Sequence, residues 1–146
     1  MGTDDRSKSG ELVLVLTTMP DDDRAAELAG TLVEERLAAC VNVHGRMMST
    51  YRWKGAVERE AERQVVIKTT RDRLSALEAR LRELHPYELP EFVMLTPDAG
   101  AAYETWVVDQ TRTSRSCPAR PRLAPALRAV CGDASGIRSP SASPTQ

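Results

Sequence analysis

The spacing of apolar residues changes period several times along the chain, and each change predicts a new secondary-structure element. Residues 11–18 (ELVLVLTT) are apolar on both faces, which is typical of a strand inside a covered sheet. Apolar side chains then recur at helical spacing from Ala25 to Leu37, after a cluster of aspartates that suits a helix N-terminus. The first part of the chain is therefore predicted to be a buried strand followed by an amphipathic helix.

The middle of the chain predicts a long β-hairpin. Residues 40–44 and 49–53 alternate as half-buried strands, Lys54-Gly55 supplies a two-residue turn, and the return strand runs to Thr69. A second helix follows, because four leucines recur at i, i+3, i+7 and i+10: Leu74, Leu77, Leu81 and Leu84. A short strand at 92–95 and a final helix containing Tyr103, Trp106 and Val107 complete the pattern.

The order strand, helix, strand, strand, helix, strand, helix predicts an α+β fold. Two βαβ-like halves of this kind form a ferredoxin-like βαββαβ sandwich, here with an extended β-hairpin and a C-terminal helix. In that arrangement strands one and three are central. Both are continuous apolar runs in this sequence, as the layout requires.

Length and composition limit this fold to one domain over residues 11–111. The chain has 146 residues, of which 41% are hydrophobic, enough for one core. Residues 1–10 are polar and are predicted to be a disordered N-terminus. Residues 112–146 are rich in Arg, Pro and Ser and are predicted to be a disordered tail.

Charge and cysteine usage exclude several classes of protein. The tail carries six Arg and one Asp, so the overall net charge of −1 leaves −6 for residues 1–111, which argues against specific nucleic-acid binding. No apolar run approaches the roughly 18 residues of a membrane span, and no secretory signal is present, so the protein is predicted to be cytoplasmic. Cys40 is predicted to be a buried structural thiol, and Cys117 and Cys131 lie in the tail.

Candidate chemistry is concentrated in the segment HPYELPE, residues 85–91. Pro86 and Pro90 stiffen this connector between the second helix and the last strand. It brings together an imidazole, a phenol and two carboxylates: His85, Tyr87, Glu88 and Glu91. The simplest structural role for His85 is to bond a backbone carbonyl at the helix end. No P-loop, dinucleotide-binding glycine motif or catalytic triad spacing is present, so the protein is predicted not to be an enzyme.

Six segments together resemble one known family. In order they are ELVLVLTTMPD, LVEERLAACVN, YRWKGAVE, VVIKTT, LRELHPYELPE and YETWV, and they resemble the CutA family of divalent-cation tolerance proteins. The resemblance implies a ferredoxin-like homotrimer with no established enzymatic reaction. Closed three-fold packing would cover the exposed hairpin edges, and the hairpin at 51–57 with the helix of Trp106 is predicted to form much of the subunit contact.

The resemblance also implies binding of copper or another divalent cation, with no required cofactor. Ion-binding members offer a cysteine and two histidines at the positions that are Thr17, Leu84 and His85 in this sequence, so one of the three donors is kept. Glu88 and Glu91 are candidate oxygen donors beside His85. A single imidazole seldom holds a transition metal alone, so the predicted metal binding is weak.

A second hypothesis is a small-ligand sensor or a trimeric scaffold. By analogy of fold alone, trimeric PII-type signalling proteins bind small anions in clefts between subunits. Residues predicted to line such a cleft are Tyr51, Trp53, Lys68 and Tyr87, with His85 and Glu91 beside them.

Overall fold

A four-stranded antiparallel sheet organises the computed structural model, which describes residues 11–113. The predicted disorder of residues 1–10 and of the tail from residue 114 lies outside the described residues. The elements in chain order are β1 (Leu12–Pro20), α1 (Arg24–Glu34), β2 (Cys40–Trp53), β3 (Ala56–Thr70), α2 (Leu74–Leu84), β4 (Val93–Leu95) and α3 (Ala101–Thr111). A 3-10 turn at Arg71–Arg73 leads into α2.

The strand order β2-β3-β1-β4 confirms the predicted fold class. The two central strands are β1 and β3, as predicted from their continuous apolar runs. This is the ferredoxin-like arrangement with an added C-terminal helix.

The main core lies between one face of the sheet and the helices α1 and α2. Side chains alternate across a strand, so every second residue of β1 and β3 points toward the helices. The principal contributors are Val13, Val15, Val65 and Ile67 of the sheet with Leu28, Leu32, Leu77 and Leu81 of the helices. Burial of this apolar surface is the main term that stabilises the fold.

The first helix ends earlier than its apolar pattern predicts. Arg36 adopts a positive φ of 57°, and the Leu37 amide bonds the Leu32 carbonyl at 2.9 Å. This is a Schellman-type helix end, and it leaves Leu37 outside the helix although its side chain is buried. The helical spacing therefore marks the buried positions correctly while it overestimates the length of the helix.

The predicted hairpin is a single pair of long strands with a bulge. The register shifts between Val43 and Arg46, so β2 continues through Gly45 instead of breaking there. Lys54 and Gly55 both have positive φ, as a two-residue hairpin turn requires. Cys40, predicted to be buried, is half-buried at the start of β2.

The second face of the sheet is covered only in part. Val107 of α3 packs on Leu12 and Ala39, and Arg36 and Arg73 donate to carbonyls at the C-terminal end of α3. Several large apolar side chains here and on β4 stay exposed: Val93 (43%), Leu95 (47%), Tyr103 (42%) and Trp106 (42%). Among residues 11–113, no helix is long and apolar enough to cross a bilayer.

Candidate functional site

The connector, residues 85–91, lies against β1 and β3 beside the base of the hairpin. It begins where α2 ends at Leu84, with His85 in extended backbone geometry before Pro86. Gln64 of β3 donates to the Thr17 carbonyl at 2.8 Å and to Glu91 Oε2 at 3.2 Å. The connector is thus tied to the sheet through Glu91.

His85 is buried, and both of its ring nitrogens are engaged. Nε2 lies 2.8 Å from the Thr18 carbonyl and 3.4 Å from Thr17 Oγ1, while the Tyr87 amide donates to Nδ1 at 3.2 Å. A carbonyl only accepts and an amide N–H only donates, so this pattern assigns the proton to Nε2 and a lone pair to Nδ1. Burial lowers the pKa of His85 below its ordinary value, which keeps the ring neutral. The backbone carbonyl that His85 bonds belongs to β1, not to the end of α2.

Tyr87 extends the cluster from His85 toward the hairpin. The two rings lie 5.0 Å apart between centroids. Burial raises the pKa of Tyr87, and a hydrogen bond to Glu62 raises it further. Glu62 is only 5% exposed, an unusual environment for a carboxylate. Tyr87 therefore supplies a polar partner for the Glu62 side chain, which has little access to water.

Two of the predicted cleft residues approach the connector from β2. Desolvation and a hydrogen bond to Glu60 raise the pKa of Tyr51, whose hydroxyl lies near the same carboxylates as Tyr87. Trp53 ends β2 at the turn, with Lys54 Nζ 5.5 Å from its ring centroid. The same ammonium lies 3.8 Å from Glu88 Oε2, so the Lys54 side chain reaches the connector from the hairpin turn.

Lys68 lies away from this group. It pairs with Leu14 and Cys40 in the sheet, and its ammonium is 6.0 Å from the Tyr103 ring centroid. Six residues of strand separate Lys68 from Glu62, about 20 Å at 3.3 Å per residue. Within one chain the structure thus brings Tyr51 and Tyr87 together, places Trp53 at the hairpin turn, and separates Lys68 from both.

The predicted metal donors do not form a ready ligand set in one chain. The Nδ1 lone pair of His85 already accepts from the Tyr87 amide, Glu91 accepts from Gln64, and Glu88 is an exposed partner of Lys54. Across the described part of the chain, no group of three or more His, Cys, Asp or Glu side chains is placed to hold a metal ion. These residues, as arranged here, do not fit a preformed metal site.

Glu62 and Gln64 are the site residues that the sequence analysis did not identify. A signal for Glu62 exists in the sequence, because Glu58, Glu60 and Glu62 recur at every second position into the apolar run of β3. Such a pattern places three carboxylates on one face and brings the last of them to the edge of the core. Gln64 continues the same series.

Comparison with known proteins decides the family. The family model described as CutA1 divalent ion tolerance protein matches residues 13–110, which is most of the chain and includes the whole connector. The chain belongs to the CutA divalent ion tolerance family.

Individual members of the family support this assignment over the same region. The chain is 42% identical over 102 residues to "Protein CutA homolog" of Xenopus laevis, covering 69% of this chain and 68% of that protein. It is 40% identical over 99 residues to the divalent-cation tolerance protein CutA of Thermus thermophilus, covering 67% and 96%. Among solved structures, CutA1 from Oryza sativa superposes with a TM-score of 0.69 at 35% identity, covering 74% of this chain and all of that one.

Thr17 lies directly beside His85. Thr17, which the sequence resemblance matches to a cysteine of ion-binding members, is fully buried, with its hydroxyl 3.4 Å from His85 Nε2. The fold therefore brings this CutA position and His85 together, but with a hydroxyl in place of a thiolate. A hydroxyl is a much poorer ligand for soft ions than a thiolate.

The low pKa of His85 predicts that stability falls as the solution becomes more acidic. In the unfolded chain His85 binds a proton near its ordinary pKa of 6.5, whereas the folded chain resists protonation to a lower pH. The free energy of unfolding should therefore be highest above pH 6.5 and should decrease as the pH falls through that value toward the folded-state pKa. Urea denaturation of the wild type at a fixed protein concentration, from about pH 5 to pH 8, measures this.

The matched control is His85→Gln, which keeps a polar side chain but removes the titrating ring. Its free energy of unfolding should vary less with pH than that of the wild type over the same interval. Parallel pH profiles for the two proteins would show that His85 does not contribute to the dependence.

Proposed function

We propose that the chain acts in tolerance of divalent cations, copper among them, as a cytoplasmic homotrimer, and that it binds the cation weakly and without enzymatic turnover. The observation that supports the cation-binding part is the hydrogen-bond pattern of His85, which places its proton on Nε2 and a lone pair on Nδ1, because imidazole ligates metals through a nitrogen lone pair. Glu88 and Glu91, which lie in the same connector, are the candidate oxygen donors. The proposed binding is weak because the Nδ1 lone pair is already shared with the Tyr87 amide.

The homotrimer is supported by the part of the second face of the sheet that α3 leaves exposed. Large apolar side chains left exposed on one face of a folded chain often mark an interface. Val93 and Leu95 belong to an edge strand, so a partner that covers them also protects unpaired backbone groups. Light scattering at micromolar concentration should give the mass of three 16.1 kDa chains, and a single-chain mass would contradict the proposal.

Copper calorimetry tests the role of His85 directly. The wild type should bind Cu(II) weakly, and His85→Ala should bind it at least about tenfold more weakly still, since the imidazole is the best donor in the set. The matched control is His44→Ala, which removes the other histidine of the chain from an exposed position on β2. Equal affinity of His85→Ala and wild type would eliminate His85 as the ligand. Loss of binding in His44→Ala alone would assign the site to His44.

The alternative proposal is a PII-like sensor of a small anionic ligand, or a scaffold without a ligand. Charge disfavours the sensor, because Glu60 and Glu62 lie beside Tyr51 and Tyr87 while Lys68 lies elsewhere. Carboxylates repel phosphate-bearing ligands at short range. A titration with a nucleotide panel, followed by Trp53 and Trp106 fluorescence, would reverse this ranking if nucleotides change the emission and metals do not.

A further inference from the structure

The outer part of the β2–β3 hairpin has one side that is strongly basic. Beyond the bulge, each residue from 46 to 53 pairs with one from 56 to 63, and paired residues of an antiparallel ladder point to the same side. The side that we call the basic face has four arginines and no acid among its own residues. It consists of Arg46, Met48, Thr50, Arg52, Val57, Arg59, Ala61 and Arg63.

The basic face lies on the same side of the sheet as α1 and α2. Arg63 pairs with Met19, whose side chain is part of the main core, and Arg59 lies four residues from Arg63 along β3, so both point to the helix side. The aromatic side of the hairpin, with Tyr51 and Trp53, points the other way, toward the side of the second face. The proposed homotrimer buries the second face, so the basic face stays accessible to another partner.

The arginines near the tip of the hairpin lack carboxylate partners. At the base, Arg63 Nε lies 2.7 Å from Asp21 Oδ1, and Arg46 Nε lies 3.6 Å from Asp21 Oδ2. Nearer the tip, Arg52 donates to the Gly55 carbonyl at 3.3 Å. Neither Arg52 nor Arg59 makes an ion pair with any residue between 11 and 113. Unneutralised positive charge is therefore concentrated in the outer half of the basic face.

Two aliphatic side chains lie among these charges. Met48 and Val57 are 61% and 60% exposed, and Val57 is the direct cross-strand partner of Arg52. Met48 lies two residues before Thr50, which pairs with Arg59. A partner that both neutralises the arginines and covers these aliphatic groups gains from charge-assisted hydrogen bonds and from apolar burial together.

The composition of the basic face favours a protein partner over a nucleic acid. The face has no aromatic ring on which an unpaired base could stack. Residues 1–111 carry a net negative charge, and three glutamates lie on the opposite side of the same hairpin, so the surroundings repel a long phosphate backbone. A short acidic segment contacts only the arginines and avoids most of this repulsion.

We propose that the basic face binds an acidic segment of a partner protein, in which aliphatic residues stand between the carboxylates. Arg52 and Arg59 pair with the carboxylates, and Met48 and Val57 contact the aliphatic side chains. This surface is separate from the connector, and its role does not depend on cation binding by His85.

A synthetic peptide of defined pattern is the probe for this surface. The sequence Glu-Ser-Leu-Ser, repeated twice, has about the length of residues 46–53, and in an extended chain it places Glu and Leu alternately on one side at a spacing of about 6.6 Å. Fluorescence anisotropy of the labelled peptide should show binding at least about tenfold tighter than that of the same peptide with Lys in place of Glu. The affinity should fall as salt is added.

Paired substitutions separate the charged from the apolar contribution. Arg52→Glu with Arg59→Glu should weaken peptide binding at least about tenfold, and Met48→Ser with Val57→Ser should weaken it about threefold or more. The matched control is Arg82→Glu with Arg112→Glu, which changes the net charge equally at exposed positions on α2 and after α3 and should bind like the wild type. Circular dichroism of each variant checks that the fold is kept.

Four outcomes would overturn the proposal. These are no binding of the acidic peptide by the wild type, equal affinity of the Arg52→Glu, Arg59→Glu variant and the wild type, and an equal loss of affinity in the control. The fourth is tighter binding of an oligouridine of similar length, which would assign the face to nucleic acid. Light scattering supplies a further check, because a changed mass in the Arg52→Glu, Arg59→Glu variant alone would assign the arginines to a contact between subunits instead.

Discussion

Leu95→Lys should convert the protein to a monomer at micromolar concentration. Leu95 is 47% exposed on β4, at the open edge of the apolar second face. A lysine there is tolerated in the isolated chain, because charged side chains on edge strands are compatible with folding. In the assembled protein the same ammonium would be buried without a partner, at a cost of about 3 kcal/mol or more at each interface, or roughly a hundredfold in affinity.

The matched control for this prediction is Val33→Lys. Val33 is 42% exposed on α1, on the far side of the sheet from the second face, and its replacement introduces the same charge. Light scattering should give a single-chain mass for Leu95→Lys and the wild-type mass for the control. If both variants keep the wild-type mass, the second face is not the subunit interface.

Leu81→Ala should lower the free energy of unfolding by about 2–5 kcal/mol, which is a large part of the stability of a domain of this size. Leu81 is fully buried, and it packs with Leu77 against the sheet residues of the main core. Its truncation removes buried apolar surface and leaves a cavity that the surrounding side chains fill only in part. Urea denaturation at one protein concentration measures the change, because assembly makes stability concentration-dependent.

Leu89→Ala is the control for the core prediction. Leu89 lies in the connector and is 72% exposed, so its truncation should change the free energy of unfolding by less than about 0.5 kcal/mol. A loss of similar size in both variants would mean that Leu89 is buried in the assembled protein. In that case the connector would belong to the subunit interface.

The connector shows how far sequence reasoning reaches at this site. Its position between α2 and β4 follows from Pro86, Pro90 and the flanking periodicities, and the structure confirms that position. The availability of His85 as a ligand could not be predicted from the sequence, because the Tyr87 amide and the Thr18 carbonyl are hydrogen-bonded to its ring nitrogens. Backbone groups are the same at every position of a sequence, so their approach to a side chain cannot be inferred from residue types.

The faces of the β2–β3 hairpin show a second limit. The alternation of charge along β3 is visible in the sequence, but the sign of each face depends on the register with β2. A bulge at Gly45 shifts that register by one residue, and a shift of one residue exchanges the two faces of a strand. The arginines of β2 join those of β3 on one face only because the bulge occurs where it does.

The amino-acid sequence by itself determined the fold class, the order of the elements, the central position of β1 and β3 and the resemblance to the CutA family. Local periodicity and turn chemistry act over a few residues, so they can be inferred from the order of residue types. Only the tertiary structure decided that His85 is neutral and hydrogen-bonded through both ring nitrogens, and that Glu62 is buried beside Tyr87. It also decided that Lys68 lies apart from Tyr51 and that the side chains of β4 are exposed. Apart from the bond of the Tyr87 amide to His85, the contacts behind these features join residues distant in sequence, and only the packing of the helices and the connector on the sheet brings those residues together.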